Sequence, residues 1–244
     1  MNAILKKELW SFFGNWSAWL IIAAFSLIST LFLFFFDNDS NIFEIGMASL
    51  QSYFALCPWL LMFIIPALSM KSFAEEQQSG TLYWLFAQSI SIVQLVLGKL
   101  LSVIIVGFLC IIPSLVYLYT IYALGIPEGN LDFGATLGSY LGLSLLVAAF
   151  SSIGVLASSL SSNQIMAYLL GVLLCFFLYF GIEQLASYKL LGGVDYYLSN
   201  LGGYQHYISL SRGLVDSRDV FYYLLIMAVA IALTSYFVQK KKQP

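Results

Sequence analysis

Six long apolar stretches, separated by short polar connections, constrain this chain more than any other feature of its sequence. Each is long enough, within the usual tolerance around roughly 20 residues, for an α-helix to cross about 30 Å of bilayer hydrocarbon, and the third is long enough to tilt or to extend beyond it. Only 9% of the 244 residues are charged, which excludes a soluble domain of this size. The sequence therefore predicts an all-α, polytopic membrane protein, with one domain over residues 1–244. Its six transmembrane helices are predicted at about residues 16–36, 53–70, 92–121, 136–160, 165–182 and 220–238.

The basic residues predict how these helices are oriented. If both termini are cytoplasmic, seven of the ten Lys and Arg residues fall on the inner side, as the positive-inside rule requires. The inner set is Lys6, Lys7, Lys71, Lys99, Lys240, Lys241 and Lys242. The outer set is Lys189, Arg212 and Arg218. We therefore expect both termini in the cytoplasm.

The segment before the first apolar stretch has its own pattern. Apolar side chains recur there at helical spacing, at Ile4, Leu5, Leu9, Phe12, Phe13 and Trp16. Residues 1–15, with Lys6, Lys7 and Trp10, are therefore predicted to form a helix that contacts lipid at the inner interface. The alternative is an extension of the first transmembrane helix.

Two further features concern packing within the membrane. Pro113 lies inside the long third stretch, where it removes a helical hydrogen bond and predicts a kink. The fourth stretch is rich in Gly, Ala and Ser, which allow close helix approach and favour a central position in the bundle. Its Gly138-x-x-x-Gly142 pair is either a specific packing motif or a chance result of this composition.

Residues 183–219 form the largest predicted outer segment. Its Gly192-Gly193 and Gly202-Gly203 pairs favour short re-entrant or interfacial helices, and a solvated loop is the alternative. A lone histidine, His206, predicts neither a catalytic nor a metal site. The three cysteines lie in apolar runs, so we expect no disulfide, metal or cofactor. No nucleic-acid-binding pattern is present.

Ionisable residues are nearly absent from the six stretches, which argues against a proton- or sodium-driven carrier. Lys99 and Glu183 lie near the ends of stretches and are expected to be interfacial or to snorkel. The energy source is therefore expected to lie outside this chain. Gly98-Lys99 is not a phosphate-binding loop, because Val93 and Leu100 replace the required Gly and Ser or Thr.

The longest polar segment in the first half of the chain is Phe73-Ala-Glu-Glu-Gln-Gln-Ser-Gly-Thr-Leu82. Polar residues of this kind are costly to place in lipid, so the segment is expected at a water-facing surface where a soluble partner can dock. The Gly80-Thr81 step favours a helix end or a tight turn. The simpler reading is that Glu75 and Glu76 only solvate an interfacial helix.

Residues 63–99 resemble the permease subunit of ABC-2-type transporters. The resemblance rests on Pro66-Ala-x-x-Met70-Lys-x-Phe73-Ala-Glu-Glu-x-x-x-Gly80-Thr-Leu and on the six-span layout. Chain length, the opening Ile4-Leu-Lys-Lys-Glu-Leu-Trp-Ser-Phe-Phe13 and Cys57-Pro58-Trp59 are most similar to the gliding-motility-associated permeases of Bacteroidetes-type bacteria.

The resemblance implies a multi-pass protein of the bacterial inner membrane, which acts with a separate ABC ATPase and a second permease half, identical or homologous. It also implies a cytoplasmic coupling helix at about residues 72–84, with ATPase contacts at Phe73, Glu75, Glu76, Gly80, Thr81 and Leu82. The chain itself is then not an enzyme. Two alternatives to a transport permease are an intramembrane enzyme, disfavoured by the lack of clustered nucleophile and base residues, and an ATPase-driven mechanical or scaffolding complex acting on envelope proteins.

Overall fold

The computed structural model describes residues 1–37, 40–46, 49–88, 90–125, 129, 131–188 and 200–242. In these ranges the chain is helical and contains no β-strand. Its helices are α1 (Asn2–Gly14), α2 (Ser17–Phe34), α3 (Ile42–Ile45), α4 (Gln51–Ser69), α5 (Lys71–Gln78), α6 (Leu82–Phe86), α7 (Ile92–Ile111), α8 (Ser114–Leu124), α9 (Phe133–Leu160), α10 (Gln164–Phe176), α11 (Ile182–Ser187), α12 (Gly203–Ser211) and α13 (Ser217–Lys240). A π-helical turn, Phe177–Gly181, connects α10 to α11.

Six helical segments are long and apolar enough to cross a membrane, as the sequence predicts. They are Ser17–Phe34, Gln51–Gln78, Ile92–Leu124, Phe133–Leu160, Gln164–Ser187 and Ser217–Lys240. The third is interrupted at Ile112 and Pro113, between α7 and α8, at the position where the sequence predicts a kink. Proline lacks the N–H that would continue the helix, and it therefore begins the next one.

The fourth span, α9, forms the centre of the bundle, which confirms the expectation from its small residues. In its most apolar window 78% of the residues are buried, against 22%, 22% and 17% in the first, fifth and sixth spans. It packs against α4, α7, α10, α12 and α13. At Gly154 the approach to α4 is so close that an added Cβ would collide with the Ser69 hydroxyl.

The N-terminal helix α1 is separate from the first span. It ends at Gly14, and Asn15 has extended backbone angles, so α1 is not an extension of α2. Ile4 is buried against α7, whereas Trp10 and Trp16 are exposed. Both chain termini contact α5, through Lys7 and Lys241. We call this end of the bundle, which carries α1, α5 and the end of α13, the base.

At the opposite, far end, α12 folds back into the bundle. Tyr207 and Leu210 are fully buried, and the Tyr207 hydroxyl donates to the Phe54 carbonyl at 2.7 Å. The α12 part of the predicted outer segment therefore packs into the helix bundle and is not a solvated loop. Gly142 faces this helix and Gly138 faces the turn that follows it, because added Cβ atoms would meet Leu210 and Gly213. Gly192-Gly193 lies outside the described residues.

The side chain of His206, at the far end, is held in place by three contacts. Its Nδ1 lies 2.7 Å from the Asp219 carboxylate, its Nε2 lies 2.9 Å from the Asn200 carbonyl, and its ring stacks on Tyr222. These contacts tie α12 to the start of α13. Within the described ranges, no group of three His, Cys, Asp or Glu residues is arranged to hold a metal ion.

Candidate functional site

The polar segment at the end of the second long helical segment and just beyond it folds as two short helices joined by a turn, rather than as one helix over 72–84. α5 follows α4 after a single residue, Met70, which itself has helical backbone angles. Ser79, Gly80 and Thr81 form the turn, and α6 follows. Gly80 has φ +72°, a left-handed conformation that side chains with a Cβ rarely adopt. The predicted turn at Gly80-Thr81 is therefore confirmed.

One hydroxyl group anchors the start of α5 to the central span. Ser158 of α9 is fully buried, and its Oγ donates to the Met70 carbonyl at 2.8 Å. The same Oγ accepts the backbone N–H groups of Phe73 at 2.9 Å and Ala74 at 3.0 Å. These are N–H groups of the first helical turn, which have no partner inside their own helix. Because a hydroxyl has one hydrogen and two lone pairs, Ser158 is fully satisfied.

A cluster of four charged side chains connects α1, α5 and α7 at the base. Lys99 Nζ lies 2.8 Å from Glu8 Oε1 and 2.9 Å from Glu76 Oε1. Lys7 Nζ lies 3.0 Å from Glu76 Oε1 and 3.7 Å from Glu8 Oε1. We call Lys7, Glu8, Glu76 and Lys99 the ion cluster. It joins residues that are 69 and 91 positions apart in the chain.

Lys99 corrects the expectation that it snorkels, because its ammonium group is buried inside the protein and does not reach water. Its side chain is 1% exposed, whereas those of Glu76 and Glu8 are 11% and 13% exposed. The Lys99 ammonium also lies 5.2 Å from the centre of the Phe73 ring. The preceding glycine makes this burial possible, since a Cβ at Gly98 would lie 2.9 Å from the Ile4 side chain of α1. Gly98-Lys99 thus serves helix packing inside α7.

Lys7 is the most exposed member of the ion cluster, with a side chain 59% exposed. Partial burial acts to lower the pKa of its ammonium group, but hydrogen bonding and charge attraction from Glu76 and Glu8 outweigh it. The pKa is raised above its ordinary value. Lys7 is therefore cationic at neutral pH.

The C-terminus also contacts α5. Lys241 Nζ donates to Gln77 Oε1 at 2.6 Å and to the Ser159 carbonyl at 2.7 Å. Partial burial lowers the pKa of Lys241. The short helix α5 is therefore connected to the N-terminus, to the third and fourth spans and to the chain end after the sixth span.

The predicted contact residues separate into two groups. Phe73, Glu76 and Leu82 are buried, with 0%, 8% and 4% exposure. Glu75, Gly80 and Thr81 are exposed, and Tyr83 and Trp84 next to them are 70% and 78% exposed. Of the predicted interfacial residues, Lys6 and Trp10 are exposed on α1, and Lys7 belongs to the ion cluster.

Sequence reasoning missed three members of this site. Glu8 had a signal, because it is the one acidic residue among the first 36 of the sequence, next to a lysine pair. Ser158 had none that distinguished it from the other serines of its span. Lys241 belongs to the Lys240–Lys242 run, which indicated orientation alone.

Comparison with known proteins gives one family. Residues 37–187 match the model of the ABC-2 family transporter proteins, a match that includes Glu76, Ser158 and Lys99 but not α1. No curated protein matches the chain. The matched range is more than half of the 244 residues and includes spans two to five. The chain is a multi-pass membrane protein that belongs to the ABC-2 family of transporter proteins.

Proposed function

We propose that this chain is one half of a permease, and that a separate cytoplasmic ABC ATPase drives it. The second half is another copy of the chain or a homologue. The base faces the cytoplasm of a bacterium, and the protein lies in the inner membrane. Charge supports this orientation, since α1, α5, α7 and the chain end carry the seven basic residues assigned to the inner side.

The connection of α5 to the rest of the base is the observation that carries this proposal. An exposed turn at the end of α5 offers a surface to a soluble partner, while the buried side of α5 is bonded to Ser158 and to the ion cluster. A displacement of the turn would therefore move the second span directly. The bonds to Ser158 and to the ion cluster would transmit the movement to the third and fourth spans and to α1. A soluble ATPase, which does not itself enter the membrane, needs such a connection to move the transmembrane helices.

The two groups of residues have different roles in this proposal. Glu75, Gly80 and Thr81 contact the ATPase, together with the exposed rings of Tyr83 and Trp84. Phe73, Glu76 and Leu82 transmit the movement from inside the chain. α1 lies in the inner membrane interface, where exposed Trp10 and Lys6 contact lipid head groups.

Charge reversal at Glu75 tests the role of the exposed residues in contacting the ATPase. Glu75→Lys changes an exposed carboxylate that has no ion-pair partner among the described residues, so the fold should be kept while the ATPase dissociates. The measurement is purification in a gentle detergent, followed by mass spectrometry of the bound proteins. Glu44→Lys, an exposed carboxylate on α3 at the far end, is the matched control. Equal recovery of a P-loop ATPase with Glu75→Lys and wild type would remove Glu75 from the contact.

The finer assignment to gliding motility is also part of the proposal. It rests on chain length, on the opening residues 4–13 and on Cys57-Pro58-Trp59, and not on the geometry of the base. Deletion of the gene in a gliding bacterium should abolish colony spreading, and the wild-type gene should restore it. Unchanged spreading would leave the permease role without this specialisation.

A further inference from the structure

One side of the last span, α13, is exposed along most of its length. Its exposed apolar side chains recur every three or four residues, which places them on one helical face. They are Phe221, Leu225, Val229, Leu233 and Tyr236, each between 42% and 66% exposed. We call these five residues the α13 stripe. Because they are exposed, no other described helix covers this face of the span.

Three consecutive lysines follow the stripe at the base. Lys240 lies four residues after Tyr236 and therefore on the same helical face, and both Lys240 and Lys242 are exposed. Lys241 between them is bonded to two neutral acceptors, on α5 and α9. None of the three lysines forms an ion pair with a described carboxylate.

The end of α13 thus carries positive charge that the described part of the chain does not neutralise. The carbonyl groups at a helix C-terminus amount to about half a negative charge, against three ammonium groups here. Partial burial lowers the pKa of Lys241, whereas attraction from carboxylates raises that of Lys7 in the ion cluster. The group that is missing at the end of α13 is therefore an anion.

The spacing along α13 matches one leaflet of a bilayer. Val229 and Lys240 are eleven positions apart, a rise of about 16 Å, which is close to half of the roughly 30 Å of hydrocarbon. Leu233 and Tyr236 lie between them, and tyrosine is favoured at the level of the lipid head groups. A lipid whose acyl chain lies on the stripe therefore has its phosphate beside Lys240.

A second copy of the chain fits this face poorly. Two copies related by a twofold axis along the membrane normal meet through the same face, so the lysines of one would lie opposite the lysines of the other. Like charges placed together at an interface disfavour association. The charge at the end of α13 therefore favours an anionic lipid over a second copy.

We propose that the end of α13 binds the head group of an anionic phospholipid, such as phosphatidylglycerol. Lys240 and Lys242 contact the phosphate, and an acyl chain lies on Val229, Leu233 and Tyr236. A zwitterionic lipid fits less well, because its own cationic group would lie among the lysines. The lipid lies next to the bonds that connect the chain end to α5 and α9.

The test compares two lipids that differ only in the head group. The purified full-length chain, without any ATPase, is titrated in detergent with dioleoylphosphatidylglycerol or dioleoylphosphatidylcholine, and the first bound lipid is quantified by native mass spectrometry. Wild type should bind the glycerol lipid about 25-fold more tightly, about fivefold for each exposed lysine. Equal binding of the two lipids would overturn the proposal, as would equally tight binding of free glycerol phosphate, which has no acyl chain.

Two variants locate the bound lipid on α13. Replacing both exposed lysines, Lys240→Gln with Lys242→Gln, should remove the preference, while Lys241 stays in place to hold α5. Arg218→Gln is the matched control, because Arg218 is an exposed cation at the other end of the same helix, close in sequence to two aspartates, and it should keep the preference. An unchanged preference in the double lysine variant would show that the lipid binds elsewhere and would overturn the proposal.

A cysteine on the stripe tests the competing occupant. The three native cysteines are buried, so Val229→Cys introduces an exposed thiol on this face. Under mild oxidation in native membranes we expect no disulfide-linked pair of chains. A linked pair would assign the stripe to a second copy and overturn the lipid proposal. Since no ATPase takes part in the lipid titration, its result does not depend on the proposed permease partnership.

Discussion

Replacing Lys99 by methionine tests how much the ion cluster contributes to the free energy of unfolding. Methionine keeps the length and apolar character of the side chain but removes the cation that lies 2.8 Å from Glu8 and 2.9 Å from Glu76. The two carboxylates, 13% and 11% exposed, then share only the partly exposed Lys7. Removing one partner of a buried ion pair typically costs about 3–5 kcal/mol, because the remaining charge is left uncompensated.

For a chain of this length, that cost corresponds to a decrease of roughly 10 °C in the unfolding temperature. Thermal unfolding of the detergent-solubilised protein, followed by intrinsic tryptophan fluorescence, measures it. Lys6→Met is the matched control and should shift the temperature by no more than about 1–2 °C, because Lys6 is exposed. Adding Glu76→Gln to Lys99→Met should restore part of the loss, since it removes one uncompensated carboxylate. A decrease below about 2 °C for Lys99→Met would show that the Lys99 cation does not compensate the buried charge of Glu8 and Glu76.

Three other substitutions or conditions give separate tests, each read from thermal unfolding. Ser158→Ala leaves two buried N–H groups of α5 without an acceptor and should cost about 2–4 kcal/mol, with Ser162→Ala, at an exposed position, as control. Gly154→Ala should cost about 1–3 kcal/mol by overpacking, and Ser69→Gly should reverse most of it; no rescue would contradict the predicted contact. The raised pKa of Lys7 contributes stability below its ordinary value of 10.5 that is lost as pH rises through the higher folded value. Stability of wild type relative to Lys7→Met should therefore fall only above about pH 10.5, and a constant difference up to pH 12 would argue against the pairing.

The fold could be predicted from sequence to the extent that local chemistry determines it. A bilayer requires about 20 apolar residues per helix, so hydropathy alone predicted the six spans. Pro113 and Gly80 gave the positions of a helix break and a turn, because each restricts or widens the backbone angles of its own residue. Small residues predicted the central position of α9, since they allow close approach wherever they occur.

The ion cluster could not be predicted, because it depends on contacts between distant parts of the chain. Glu8, Glu76 and Lys99 meet only after α1 packs on α7, and nothing local to Lys99 distinguishes a buried ammonium from a snorkelling one. The same applies to Glu76, which looks identical to Glu75 in sequence although one faces the bundle and the other solvent. The partners of Gly138 and Gly142 could not be predicted either, because they lie more than 60 positions away in the chain, in α12 and just after it.

If the exposed turn after α5 contacts an ATPase, a photo-crosslinker placed on that turn should capture the ATPase inside the cell. A photoreactive phenylalanine analogue is placed at Thr81, which is exposed at the base, and at Glu44, which is exposed at the far end, and the crosslinked proteins are identified by mass spectrometry. We expect a P-loop ATPase crosslinked at position 81 and none at position 44. A crosslinked ATPase at position 44, or none at position 81 with the chain fully inserted in the membrane, would contradict it.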